Sequence, residues 1–117
     1  MHWCDLEIWK KSHDLVLKIY EVTASFPKSE TYGLTDQLRR SAASVPANIV
    51  EGQSRNTTKE YLSFLYNARG SLEEIRYFLL LSHDLNHLSE ETYKNLENEY
   101  ETASKMLNGL IKSLKKK

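Results

Sequence analysis

The stretch that decides the fold is Thr57–Asn86, TTKEYLSFLYNARGSLEEIRYFLLLSHDLN. Tyr61, Leu65, Ala68, Leu72, Ile75 and Leu79 recur at steps of 4, 3, 4, 3 and 4, the period of one face of an α-helix. Thr57-Thr58-Lys59-Glu60 opens the run as a capping box, in which the threonine and glutamate side chains satisfy backbone amides that a helix start leaves unpaired. The spacing predicts a helix to about Asn86, roughly 45 Å long at 1.5 Å per residue.

Working outward, Ser89 is the N-cap of a following helix, with Glu90 and Glu91 where the helix dipole favours acids. Tyr93, Leu96, Tyr100, Ala103, Leu107, Leu110 and Leu114 keep heptad spacing along it. The Lys115-Lys116-Lys117 tail reads as a frayed, solvated end. Upstream, a helix is predicted to begin at the N-cap Thr35, to place Leu38, Ala42, Val45 and Ile49 on one face, and to end at Gly52 before a loop over Gln53–Asn56. Pro46 lies inside it, removes the backbone bond to Ala42 and predicts a kink or two short helices. The first helix is predicted from the N-cap Asp5 to Phe26, stopped by Pro27. Its expected stripe is Leu6, Trp9, His13, Val16 and Tyr20, widened by Leu17 and Ile19. Residues 28–34 form a connector. Four helices with short loops make an all-α, antiparallel up-and-down four-helix bundle with a Pro-kinked second helix, as a single domain over residues 1–117.

Composition agrees and sets limits. The 117 residues hold one domain. Only four glycines and two prolines leave few turns and long elements. Sixteen Lys and Arg balance sixteen Asp and Glu, which excludes a uniformly basic nucleic-acid coat. The balance hides uneven faces. Arg39–Lys59 carries four basic residues and one acid, Asp84–Glu101 six acids and one lysine, and Lys105–Lys117 five lysines and no acid. The single Cys4 excludes an internal disulfide framework and reads as a small, partly buried apolar side chain. No apolar run approaches the roughly 20 residues of a membrane span. No basic-then-apolar leader is visible at the start, so the expected location is the cytoplasm.

The helix faces point to partners. On the third helix Phe64, Phe78 and Leu85 flank the heptad set on one side, and Leu62, Tyr66 and Leu80 on the other. The apolar arc reaches roughly 200°, about twice what a surface helix of a monomeric bundle uses, so one flank is expected against another subunit rather than merely buried. On the second helix the stripe Arg40, Ser44, Ala47, Glu51, Arg55 carries small residues that let another backbone approach. Gly70, beside Ala68 and Ser71, is expected to admit a close helix contact. The candidate oligomer interface is therefore Ser44, Ala47, Glu51, Leu62, Phe64, Tyr66, Phe78 and Leu80. Arg69, Glu73 and Arg76 have the spacing of surface ion pairs, with a Glu51–Arg69–Glu73 network between helices as the alternative.

The residues suggest no chemistry. His83 and His87 are four apart, a spacing that can hold a metal, but the chain lacks the paired Glu-x-x-His motifs of di-iron bundles. Histidines near a helix C-terminus also suit its dipole. His13 is expected as a satisfied core histidine. There is no phosphate-cradling glycine loop. No catalytic residue, cofactor or metal site is expected, and the protein is expected not to be an enzyme.

Gln37–Gly52, QLRRSAASVPANIVEG, resembles the signature of the S23 family, the 23S rRNA intervening-sequence proteins. Three further runs agree, namely Asp5–Lys10, Phe26–Glu30 and Ala68–Glu74, and the resemblance covers residues 5 to about 113. It implies a four-helix bundle assembled as a ring-shaped homopentamer. Some members are encoded in intervening sequences of bacterial 23S rRNA genes, while many are stand-alone bacterial genes without assigned activity. A related accessory protein of diversity-generating retroelements partners a reverse transcriptase and nucleic acid. The expected function is a non-enzymatic homo-oligomer that binds RNA or another nucleic acid through Arg39, Arg40, Arg55, Lys59, Arg69 and Arg76 repeated around the ring, or works with a nucleic-acid-processing protein. The alternative is a protein–protein scaffold, recognisable by arginines tied up in ion pairs.

Overall fold

The computed structural model describes residues 2–116; Met1 and Lys117 lie outside the described residues, as do the parts of the single-domain and lysine-tail readings that rest on them. Four helices follow one another: α1 (Glu7–Thr23), α2 (Leu34–Gln53), α3 (Thr58–Asp84) and α4 (Glu90–Lys115), with short 3-10 turns at Trp3–Asp5 and Lys28–Glu30. The described residues contain no strand.

The expected caps hold at α3 and α4. The Thr57 hydroxyl accepts from the Glu60 amide at 3.1 Å, and the Ser89 hydroxyl accepts from the Thr92 amide at 3.1 Å. Other boundaries differ, each for a local reason. Asp5 sits in the first 3-10 turn, so Leu6 is the N-cap of α1. That helix stops at Thr23 rather than Phe26, because the residue before Pro27 is driven out of helical geometry and Phe26 turns into the core. At α2 the cap is Gly33, not Thr35. The Glu30 carboxylate supplies the missing acceptor, taking the Leu34 amide at 3.2 Å. The bare Gly33 leaves it room there: a Cβ would stand 2.6 Å from Glu30 Oε1, and the carboxylate would have to turn aside. The third helix ends at Asp84, where Asn86 takes φ 65°, the His87 amide donates to the Ser82 carbonyl at 2.8 Å and the Asn86 amide to His83 at 2.9 Å. This crossed pair closes the helix end in the way a left-handed residue allows. Helix α4 runs on through Lys115, the first residue of the lysine tail, with Lys116 as its C-cap.

Helix α2 passes through Pro46 unbroken rather than dividing into two short helices. It also continues through Gly52, which is a contact point with α3 rather than a helix end. A Cβ there would lie 2.8 Å from Tyr61 Cδ1, 3.0 Å from Phe64 Cβ and 3.2 Å from the Tyr61 carbonyl. Farther along the same pair of helices Ser44 donates to Ser71 and Ser41 to Glu74, so one index falls as the other rises. Gly70 does not play the expected part, since it is exposed and a Cβ would meet nothing within 4 Å.

The expected faces supply most of the core in three helices, although Tyr61, Tyr93, Leu110 and Leu114 are only half-buried and Ile111, outside the expected heptad, is buried. Leu38, Ala42, Val45 and Ile49 of α2, Leu65 to Leu79 of α3, and Leu96, Tyr100, Ala103 and Leu107 of α4 are buried. In α1 the buried line is shifted by one residue from expectation: Ile8, Ser12, Leu15, Ile19 and Thr23 face inward. The polar pair is tolerated because Ser12 donates to the Trp9 carbonyl at 3.1 Å and Thr23 to the Ile19 carbonyl at 2.6 Å. The aromatic stripe then falls at the rim. His13 is exposed rather than a core histidine, its ring stacked on Trp9 at 5.0 Å.

Among the described residues one buried side-chain group is unsatisfied. The Tyr100 side chain is 1% exposed, and its hydroxyl has no hydrogen-bond partner. Burial pushes the phenol well above its ordinary ionisation range. An orphaned buried hydroxyl costs about 1–3 kcal/mol. Tyr100→Phe is therefore expected to raise stability by about 1 kcal/mol, read as a higher urea midpoint; a drop in midpoint would show that the hydroxyl is bonded in solution.

Candidate interaction surface

The six basic residues marked for phosphate contact fall into three groups. Arg39 is committed to the fold. Its Nε donates to Thr23 Oγ1 at 2.9 Å, Nη2 donates to the Tyr20 carbonyl at 3.3 Å, and the guanidinium lies 4.5 Å above the Tyr20 ring. It thus closes the C-terminal end of α1 with a cation, where carbonyls lack partners. Arg76 is committed as well. It donates from Nε and Nη2 to Glu97 Oε1 at 2.9 and 2.6 Å and from Nη1 to Glu73 at 3.4 Å. Hydrogen bonding to Glu97 raises its pKa above the ordinary guanidinium value.

Arg55 is half committed, donating to Glu51 at 2.8 Å with its guanidinium 4.6 Å over the Phe64 ring. The others are freer. Arg40 has a side chain 76% exposed and only Asp36 near it, at 4.0 Å. Arg69 is exposed, lies 4.9 Å above the Tyr66 ring and reaches Asn108 at 3.5 Å. Lys59 is exposed. The Glu51–Arg69–Glu73 network does not form: Glu51 pairs with Arg55 and Glu73 with Arg76. The partner that ties Arg76 of α3 to α4 is Glu97, which no local spacing reveals.

The eight residues marked for an interface also divide. Ser44 is turned inside the chain, donating to Ser71 and to the Ser41 carbonyl. Leu62 and Phe78 are half-buried against the core. Phe64 is half-buried beneath Arg55. Tyr66, Leu80, Ala47 and Glu51 are exposed. Tyr77, outside the original eight, joins them at 57% exposure, with Leu80 at 42% and Tyr66 at 37%. These three stand on the outer side of α3 at steps of 11 and 3. Tyr77 escaped notice because it falls outside the heptad set and both flanks drawn from the sequence.

The histidines have separate partners. His83 contacts Glu90 and Asp84 and stacks on Tyr93. His87 lies beyond the end of α3 and reaches Glu30 at 3.0 Å. The two do not share a helix face, and the described residues hold no cluster of three or more metal-binding side chains.

Glu30 and Glu99 are among the carboxylates set by their hydrogen-bond partners. The hydrogen bond from His87, then that from the Leu34 amide, holds Glu30 below its ordinary pKa. Burial alone would raise Glu99, but hydrogen bonds from Lys18 at 2.7 Å and Lys11 at 3.1 Å outweigh it and hold that carboxyl low as well. A depressed carboxyl stabilises the fold above its unfolded pKa, and that contribution is lost as pH falls through the folded value. The urea midpoint is expected to decline below about pH 4.5, the ordinary carboxyl value, and Glu99→Gln to flatten that acid limb. An acid limb unchanged by the substitution would remove Glu99 from the account.

No described helix is long and apolar enough to cross a membrane. Residues 4–109 match the family described as 23S rRNA-intervening sequence protein. The chain is similar in structure to a protein of unknown function from the S23 ribosomal protein family of Bacteroides thetaiotaomicron, whose crystal structure is at 1.70 Å resolution. The two superpose with TM-score 0.80 at 23% identity over 90% of this chain and 98% of that one, a likeness of fold. No curated protein is similar enough to match.

Proposed function

The chain belongs to the 23S rRNA-intervening sequence protein family, and from that premise we propose that it is a non-enzymatic assembly module of the cytoplasm that docks protein surfaces, first of all further copies of itself. The observation that carries this reading is the line of Tyr66, Tyr77 and Leu80 on the outer side of α3, all exposed in the single chain. Large aromatic side chains in water at the middle of a long, well-packed helix favour a partner, because covering them removes apolar area at roughly 25 cal/mol per Å². The same reading takes the helices as an antiparallel up-and-down bundle, supported by the reversed order of the α2–α3 contacts, and takes α2 as bent at Pro46, supported by the lost amide bond to Ala42.

The ring of five is the assembly that the family resemblance implies. Light scattering coupled to gel filtration tests it directly: a mass near five times 13.6 kDa is expected for the wild type. Tyr66→Glu/Tyr77→Glu is expected to fall to the single-chain mass with its helix content intact. A wild type of 13.6 kDa would sink the proposal.

A second reading, association with RNA or another nucleic acid, draws on the exposed Arg40, Lys59 and Arg69. It is the weaker because Arg39, Arg76 and in part Arg55 are held within the chain. If it holds, micromolar oligomer retains RNA at about 50 mM salt and releases it steeply as salt rises. Arg40→Ala would weaken retention, while Arg76→Ala would act on stability. Absence of retention at low salt leaves the scaffold alone.

A further inference from the structure

We infer that the first half of α1, together with the 3-10 turn at Trp3–Asp5, is a strap that peels away from α4 while α2, α3 and α4 stay packed, and that Glu99 is its catch. The device lies within one chain and does not depend on assembly.

The seam between α1 and α4 holds two cavities. One of about 220 Å³ is walled by Lys18 and Val22 of α1 and by Asn95, Leu96 and Glu99 of α4. The other, of about 300 Å³, lies between Leu6, Glu7 and Ile8 on one side and Met106 and Leu110 on the other. Side chains that face a void lack the dispersion contacts of a closed core. Glu99 accepts from Lys11 at 3.1 Å and from Lys18 at 2.7 Å. Among the described residues no other hydrogen bond or ion pair crosses from α1 to α4. The neighbouring seams are held differently. Gly52 admits α3 against α2, where Ser41 and Ser44 also donate across, and Arg76–Glu97 and His83–Glu90 join α3 to α4.

The strap carries much of its bonding with it. The Trp3 ring lies 4.6 Å from that of His2 and 4.8 Å from that of Trp9, and His13 stacks on Trp9, so this ladder is internal to residues 2–13. Ser12, the buried polar residue of the stretch, donates to the Trp9 carbonyl of its own helix. Lifting the strap therefore breaks none of these contacts and orphans no hydroxyl. What it gives up is the Glu99 bridge and the burial of Ile8 and Leu15, and it bares Met106 and Leu110 on α4.

The far end of α1 is pinned. Arg39 of α2 donates to Thr23 Oγ1 and to the Tyr20 carbonyl. Just beyond, Phe26 is buried with its ring 5.5 Å from that of His87, and Glu30 is bonded to the same histidine. A helix fixed at its C-terminal end and backed by a cavity near its start opens from the start, because local opening begins where buried apolar contacts are fewest.

Amide hydrogen exchange read by mass spectrometry tests the strap. In the wild type, residues 8–18 are expected to exchange about 100-fold or more faster than residues 65–79, each relative to its intrinsic rate. Glu99→Gln is expected to speed residues 8–18 by about 3-fold, the scale of a partly exposed ion pair. Gly52→Val strains the α2–α3 crossing, which stays closed while the strap is lifted. It is expected to speed residues 65–79 by about 30-fold and to leave residues 8–18 unchanged. Gly109→Ala places its methyl in open space on α4 and serves where the valine variant does not fold. It is expected to slow residues 65–79 by about 2- to 5-fold, again without effect on residues 8–18. Equal protection of the two segments in the wild type overturns the proposal. So does a change of both segments together in the glycine variants, or a Glu99→Gln protein whose residues 8–18 exchange as before.

Discussion

Gly52→Val is expected to destabilise the fold by about 2–3 kcal/mol, in the range of overpacking a tight contact. The reason is the crossing of α2 and α3. At this point the Tyr61 ring, the Phe64 Cβ and the Tyr61 carbonyl all stand within 3.2 Å of the position a Cβ would take. The ring can turn aside, but the carbonyl belongs to a helix backbone and moves only with α3. Gly52→Ala sets two effects against each other. Alanine gains about 1 kcal/mol of helix propensity over glycine, while its methyl meets all three atoms, so the net result is expected to be a smaller loss. Gly109 provides the contrast, since it lies within α4 with nothing within 4 Å of its Cβ position. There the same change to alanine is expected to raise stability by about 0.5–1 kcal/mol. Urea unfolding of the three variants reads both signs. A Gly52→Val protein as stable as the wild type would mean that α2 and α3 are farther apart than the structure places them. Glu-Gly at the end of the α2 signature is thus a packing requirement: the glutamate pairs with Arg55 at the surface and the glycine admits the neighbouring helix.

Leu72→Ala is expected to cost about 3 kcal/mol, within the 2–5 kcal/mol seen when a leucine is truncated in a closed core. Leu72 has no exposed surface and sits in the middle of α3 among the buried leucines and isoleucines of the bundle. The loss combines the transfer energy of the removed carbons with the void they leave, because four long helices cannot collapse around one position. Against a total stability of about 5–15 kcal/mol for a domain of this size, it is a large fraction. The urea midpoint should fall with an unchanged slope. Phe78→Ala is expected to cost less although the side chain is larger, since Phe78 is only half-buried. Equal losses at the two positions would contradict the burial seen here.

Much of the fold was legible because it is written in local periodicity. The 4-3 spacing of Leu65 to Leu79 and the heptad positions Leu96 to Leu107 of α4 face inward as the spacing says, with Ile111 rather than Leu110 buried beyond them, and Thr57 and Ser89 cap as short polar residues do. Helix α1 was misread by one residue because its sequence offers two overlapping stripes. Trp9, Val16 and Tyr20 look the more apolar, yet Ser12 and Thr23 bury at little cost by bonding the backbone behind them. The cap of α2 was misplaced because the acceptor comes from Glu30, outside the helix and across a bare glycine. The ends of α1 and α3 depended on Pro27 and on Asn86 in left-handed geometry, signals that locate a stop only to within a turn.

By itself the sequence determined four helices and most of their buried faces, because a helix reads its own residues three and four apart. It also determined that no single sign of charge dominates. Only the tertiary structure decided which charges are available. Arg39 is tied to the end of α1 and Arg76 to Glu97 of α4, while Arg40 is left in water. Those partners lie on other helices, and no spacing along one helix encodes a distance across the bundle. The same holds for the exposed line of Tyr66, Tyr77 and Leu80 on α3, whose identity follows from which apolar residues the other three helices failed to cover.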